Sequence, residues 1–170
     1  IFDIMLDHSE LIKQLSADKA CTPALLSASS MSVPQLLDLY VKNIDYGIRS
    51  NLLTPEFIRD NASESELSNS GIFIGSKSMF INAKTLVLLG RGNVKSLHSG
   101  YDVSRIYTAQ SNKLIADVTG NANVVIEAYG NSIIEVHQYE KAHVMVILHD
   151  QSTCTHFGKI TVKNGRAIHN

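Results

Sequence analysis

Apolar residues recur three and four apart up to about residue 61, and from Gly71 onward they recur two apart. The first spacing predicts amphipathic helices and the second predicts half-buried strands. The clearest helix start is Ser32-Val33-Pro34-Gln35, where a serine cap, a first-turn proline and a capping-box glutamine coincide. In the helix that follows, Leu37, Val41, Ile44 and Ile48 form the expected inner face. Leu36 and Tyr40 border it, and Asp38, Lys42, Asp45 and Arg49 point away. Thr54-Pro55-Glu56 starts a second helix running to about Asn61. Earlier helical pieces are expected over Ser9 to Ser16, with Leu11 and Leu15 inward, and over Ala24 to Ala28. Residues 62–70, ASESELSNS, read as a linker.

A repeat emerges between Gln110 and Lys159, where the chain divides into blocks of ten: QSNKLIADVT, GNANVVIEAY, GNSIIEVHQY, EKAHVMVILH and DQSTCTHFGK. The third place is small in Ala122, Ser132, Ala142 and Ser152. The fifth is apolar in Leu114, Val124, Ile134, Val144 and Cys154, and the seventh in Ala116, Ile126, Val136 and Val146, before His156 breaks the series. Alternation sends places three, five, seven and nine inward and four, six, eight and ten outward. Ten residues make one strand and one corner, so two blocks, about twenty residues, make a coil.

The predicted fold class is therefore α+β: a short helical N-terminal region (1–61), the linker 62–70, and a C-terminal β-solenoid (71–170) with regular decads over 110–159. An antiparallel meander with evenly spaced hairpins is the alternative. Gly-Asn pairs at 120–121 and 130–131 suit the corners, while Glu140-Lys141 and Asp150-Gln151 show that glycine is not obligatory there. Gly71 to Ala109 is rich in strands but resists the register, and is expected to form irregular early coils.

Composition sharpens this picture. Lys and Arg number 15 against 16 Asp and Glu, and charged residues make up only 18% of the chain against 44% hydrophobic ones. A net charge of -1 supplies no broad basic surface, so nucleic acid is a disfavoured partner. No apolar run reaches the length needed to span a bilayer, so a soluble protein without a membrane partner is expected, with a cytoplasmic or virion-associated place favoured. The sequence begins at Ile1 rather than Met, and compartment is not read from it. Two cysteines, Cys21 and Cys154, make neither a disulfide scaffold nor a metal motif.

The blocks GNANVVIEAY and GNSIIEVHQY carry a resemblance, together with the preceding GIFI, NAK, VLLGRGNV and GYDVSRIY stretches and the LDLYVKNIDYGIRSN and TPEFIRDN helices. They resemble uncharacterised repeat proteins of gut Bacteroidetes and their phages or mobile elements, in which runs similar to A-x-V-x-A-Y-G-N follow a short helical region. The resemblance implies a solenoid and a phage or mobile-element setting, and it brings no catalytic residues. After residue 140 this chain departs from that pattern, with charged corners and His156 at an apolar place.

No catalytic constellation is legible. Glu127 and Glu135 point outward from different sheets, unlike the facing carboxylates of a glycosidase. Gly90-Arg91-Gly92-Asn93 lacks the rest of a phosphate loop. His137, His143, His149 and His156 crowd the repeat, yet no two share a column, so neither a metal site nor a cofactor is expected. Stacking at twenty puts His149 over Tyr129 and His137 under Phe157. Outward apolar residues point instead to contact surfaces: Val125, Tyr129, Met145 and Ile147 on one face, Ile133, Tyr139 and Phe157 on the other. The expected function is a non-enzymatic structural or interaction module, a homo-oligomer assembling through solenoid faces or ends. The alternative is a ligand- or carbohydrate-binding protein using Tyr129, His137, Tyr139 and His149 in a groove between solenoid and helices. The register also predicts that Ile126→Asp collapses the fold while Glu127→Lys is nearly silent.

Overall fold

A computed structural model of the chain describes residues 30–75 and 77–165. The helical pieces expected over Ser9 to Ser16 and Ala24 to Ala28 lie outside the described residues. The chain splits into two compact units between Ser70 and Gly71.

The first unit contains α1 (Val33–Lys42), α2 (Ile44–Arg49), α3 (Pro55–Asn61) and α4 (Glu64–Asn69). Gln35 Oε1 accepts from the Ser32 backbone N–H at 2.8 Å, the reach-back half of the predicted capping box. The single helix expected from Ser32 is divided at Asn43, whose backbone leaves the helical region (φ -119°, ψ 36°). Asn43 Nδ2 donates to the Leu39 carbonyl at 3.0 Å, the local competition that makes asparagine a poor helix-interior residue.

The inner face is rotated from the predicted one. Leu36, Leu37, Tyr40, Ile44 and Gly47 are buried, and Val41 and Ile48 are only half-buried. Gly47 explains the rotation, because a Cβ there would stand 2.6 Å from the Tyr40 ring, so the ring can lie against the α2 backbone only where no side chain exists. Burial pushes the Tyr40 hydroxyl well above its ordinary range.

Thr54 caps α3 as predicted, its Oγ1 accepting from Phe57 N–H at 3.1 Å. The segment read as a linker holds α4. Ser63 Oγ accepts from Glu66 N–H at 3.3 Å and Glu66 Oε2 accepts from Ser63 N–H at 2.8 Å, a complete capping box that starts a helix in a stretch with almost no apolar content.

The second unit is a β-solenoid. Its strands are β1 (Ile72–Ile74), β2 (Lys77–Ile81), β3 (Thr85–Leu89), β4 (Asn93–His98), β5 (Val103–Thr108), β6 (Lys113–Val118), β7 (Asn123–Ala128), β8 (Ile133–Gln138), β9 (His143–Leu148), β10 (Thr153–Phe157) and β11 (Thr161–Asn164). Odd strands form one parallel sheet and even strands another. Each decad is thus one strand of one sheet, and two decads make a coil.

Partners lie twenty residues apart, as Val124 with Val144 and Ile134 with Cys154. The inward residues Val124, Ile126, Ile134, Val136 and Val146 are buried in one continuous core. The twenty-residue pairing begins well before Gln110, with Thr85 against Arg105 and Asn93 against Lys113. Only the ends depart from it: Ile72 pairs with Val87, Lys77 with Asn93, and Thr161 with Met145.

The corners explain the small third place and the tolerated loss of glycine. In one column, Asn112, Ser132 and Ser152 do more than fit. Asn112 Nδ2 donates to the carbonyls of Leu88 (3.1 Å) and Ala109 (2.8 Å). Ser152 Oγ lies 3.0 Å from the Ala128 carbonyl oxygen and 2.6 Å from that of His149. The Leu88 and Ala128 carbonyls already accept from the Ala109 and His149 N–H of the next coil, so these side chains bring a second donor to the stacked carbonyls and fasten each corner to the coil before it. Gln110, Glu140 and Asp150 adopt positive φ (62°, 56° and 57°) where other corners use glycine. Each reaches back one coil, accepting from the N–H of Gly90, Gly120 and Gly130 at 2.8, 2.7 and 2.9 Å. The hydrogen bond offsets a left-handed backbone cost of about 1 kcal/mol.

Candidate functional site

Three polar constellations and one open end stand out within the solenoid. The first is internal and lies in the coils that the hydrophobic pattern could not register. His98 faces the core from β4 with its side chain fully enclosed, and its Nδ1 lies 2.7 Å from Asp102 Oδ2 and 3.0 Å from Ser104 Oγ. Ser104 Oγ also donates to Asp102 Oδ2 at 2.6 Å and approaches the Ala83 carbonyl at 2.8 Å. Burial alone would raise the Asp102 carboxyl, but the Ser104 and His98 hydrogen bonds together outweigh it and hold it below its usual range.

Serine, histidine and aspartate in contact invite comparison with a hydrolase triad, and the geometry is wrong for one. A triad places serine on one ring nitrogen and the carboxylate on the other. Here both meet Nδ1, while Nε2 is buried without a hydrogen-bond partner and Ser104 is itself buried. The cluster is a polar staple inside the coil. Its sequence signal, His98 four residues before Asp102 and six before Ser104, mimics nothing in the apolar register.

The second constellation lies on the outer face of the even sheet. Lys95 Nζ meets Asp117 Oδ2 at 2.9 Å, Asp117 Oδ1 meets His137 Nδ1 at 2.8 Å, and His137 Nε2 meets Glu135 Oε1 at 3.0 Å. Lys113 Nζ stands 3.9 Å from Glu135 Oε2 and closes an alternating series of charges across β4, β6 and β8. Burial raises the Asp117 carboxyl, yet the hydrogen bonds from Lys95 and His137 prevail and lower it. The carboxylates lie on opposite sides of the His137 ring, so the three groups cross-link strands and do not converge on one point as metal ligands would.

The third is on the odd-sheet side. His149 stacks on Tyr129 with centroids 4.3 Å apart and planes 3° from parallel, and Tyr129 OH donates to Glu127 Oε2 at 3.1 Å. Tyr139 instead meets Phe157 at 5.9 Å on the even-sheet side. The four candidate ligand residues therefore fall into separate places: Tyr129 with His149 in corners after odd strands, His137 on the even face, and Tyr139 in the opposite corner. Of the residues read as contact surface, Tyr129 is buried and offers none, Val125, Met145 and Ile147 are half-buried on the odd face, and Ile133 and Phe157 on the even face are 50% and 63% exposed. Burial raises the Cys154 thiol, which fits a half-buried packing residue rather than a nucleophile.

The open end is the last coil. Among the described residues β10 and β11 are terminal strands of their sheets, each paired on one side only. One coil earlier Val136 and Val146 are buried, because β10 and β11 lie over them. The last coil has no such cover among the described residues. Val162, partner of Val146, is 41% exposed, and His156, partner of Val136, is exposed as well. His156 thus marks the end of the core, as its polarity at an inward place suggested.

Among the described residues no helix is long and apolar enough to cross a membrane. Comparison of the chain with family models, with curated proteins and with solved structures finds no match, so the functional reading rests on the geometry of the coils themselves.

Proposed function

We propose that this chain is a non-enzymatic assembly module whose solenoid joins a second copy through its open C-terminal coil. The supporting observation is the exposure of Val162 at a core place beside two one-sided strands. The Thr153 N–H donates to the Ser132 carbonyl at 3.0 Å, so by strand alternation the amides of Cys154 and His156 face the free edge. A free edge is a template for another strand, and a two-fold axis across the last coil would continue both sheets at once, antiparallel, with Val162 enclosed in a shared core. Lys159 and Lys163 flank this edge. Lysines so placed oppose pairing, so association should strengthen as salt screens them. The resemblance to repeat proteins of gut Bacteroidetes and their phages or mobile elements favours a virion or mobile-element setting for the assembly.

Sedimentation equilibrium across a wide concentration range tests the reading. A reversible dimer is expected, tightened by added sodium chloride and lost in His156→Pro and Val162→Lys. Both substitutions lie at exposed positions and leave the ladder to β8 and β9 intact. A monomer at every concentration, or a dimer indifferent to both variants, rejects the open coil as the joint.

A further inference from the structure

We infer that the outer face of the odd sheet, near its last strands, holds a binding site for a tetrahedral oxyanion, a phosphate or sulfate group. A depression of about 550 Å³ is lined there by Asn123, His143, Lys159, Thr161 and Lys163, with Met145 among them. The register brings them together. Asn123 and His143 are partners at the first places of β7 and β9, and Thr161 and Lys163 stand against Met145 and Ile147. Lys159 comes from the corner just before β11.

The lining is rich in donors and contains no carboxylate. On the outer face of the even sheet, by contrast, Lys95 faces Asp117 and Lys113 faces Glu135. Among the described residues, the side chains of His143, Lys159 and Lys163 have neither an ion-pair nor a hydrogen-bond partner. Positive groups gathered around one concavity without a counter-charge raise the local anion concentration. Ammonium groups, a hydroxyl, an amide and an imidazole are the donors that surround tetrahedral oxyanions. The cluster belongs to the last coils alone, since β5 carries Val103 and Arg105 at the corresponding places.

The inference does not depend on self-association and is tested at concentrations where the protein is monomeric. Backbone amide shifts are followed by NMR during titration with sodium sulfate, against sodium chloride at equal ionic strength, and then with inorganic phosphate and glucose 6-phosphate separately. Saturable shifts confined to Asn123, His143 and the Lys159 to Lys163 segment are expected. They should weaken at least about tenfold in the Lys159→Gln, Lys163→Gln double variant, whose exposed positions leave the fold intact. Tighter binding of glucose 6-phosphate would assign the site to an ester, and equal binding to the free ion. Shifts that match chloride, or that persist in the double variant, overturn the inference.

Discussion

His149 lies flat on Tyr129, twenty residues away and one coil below, with ring planes 3° from parallel. The pair is the twenty-residue period made visible, and it fixes what a neighbouring position can tolerate. Glu127, two residues before Tyr129 on the same outer face, accepts from the Tyr129 hydroxyl and lies 3.7 Å from His149 Nε2.

The contrast between Ile126 and Glu127 therefore changes. Ile126→Asp buries an unpaired carboxylate at a fully enclosed place, so a loss of more than about 4 kcal/mol and failure to fold are expected. Glu127→Lys is not silent as alternation alone predicts, because it removes the carboxylate to which the Tyr129 hydroxyl donates and sets a cation beside His149. A loss of about 1 to 2 kcal/mol in urea unfolding is expected, against less than about 0.5 kcal/mol for a substitution at exposed Thr153.

The corners give a prediction with opposite outcomes at two stacked positions. Gly120 has φ 70°, and a Cβ there would stand 2.9 Å from the Gly100 backbone nitrogen. Gly120→Ala adds left-handed strain to a backbone clash and should cost about 2 to 3 kcal/mol. Glu140→Gly, one coil above, relieves similar strain but removes the bond to the Gly120 N–H, so its net effect should stay within about 1 kcal/mol of zero. Equal losses at both positions would show that the side-chain clasp contributes nothing.

How far the sequence discloses this fold depends on what fills the inward places. From Gln110 onward they hold Leu, Val, Ile and Ala, and the two-residue alternation with its twenty-residue stacking is legible. In the preceding coils Ser96, His98, Ser104 and Thr108 occupy the same inward places and are buried. An apolar period cannot register polar residues at inward places, where His98 and Ser104 are held by bonds to Asp102 within the coil and Thr108 Oγ1 reaches Ser132 Oγ at 3.3 Å in a later one. The same limit hides α4, whose capping box of Ser63 and Glu66 stands in an almost wholly polar stretch. The basic depression at His143, Lys159 and Lys163 was likewise illegible, since it depends on Thr161 pairing with Met145 at an offset that leaves the decad register.

Two buried serines separate hydrogen bonding from mere fit. Ser96 Oγ is enclosed without a hydrogen-bond partner, whereas Ser132 Oγ donates to the Tyr129 carbonyl at 2.8 Å. Ser96→Ala removes an unpaired polar group and should stabilise by about 1 kcal/mol. Ser132→Ala removes the donor and should cost about 1 to 2 kcal/mol. Thermal unfolding of the two variants should move in opposite directions, and a loss at Ser96 would mean that a bound water pairs its hydroxyl.

Acid stability follows from Asp102 and Asp117, whose carboxyls both lie below their ordinary range in the folded chain. A depressed carboxyl contributes stability that is complete above its unfolded value, about pH 4, and is lost as pH falls through its folded value. Unfolding free energy should therefore be level on the acid side of neutrality and decline below about pH 4. Lys95, raised by its hydrogen bond to Asp117, acts in the other direction, contributing fully below about pH 10 and less above it. The two carboxylates differ in exposure, with side chains 10% accessible at Asp102 and 26% at Asp117. Solvent and salt screen the second more effectively. Asp102→Asn should accordingly flatten the acid limb more than Asp117→Asn, and 0.5 M sodium chloride, on the order of what shortens screening to a few ångströms, should diminish the Asp117 share while leaving that of Asp102. Urea titrations of the three proteins from pH 2 to 7 read both effects. An acid limb unchanged by Asp102→Asn would mean that the interior His98 and Ser104 cluster holds its charge no more firmly than the unfolded chain does.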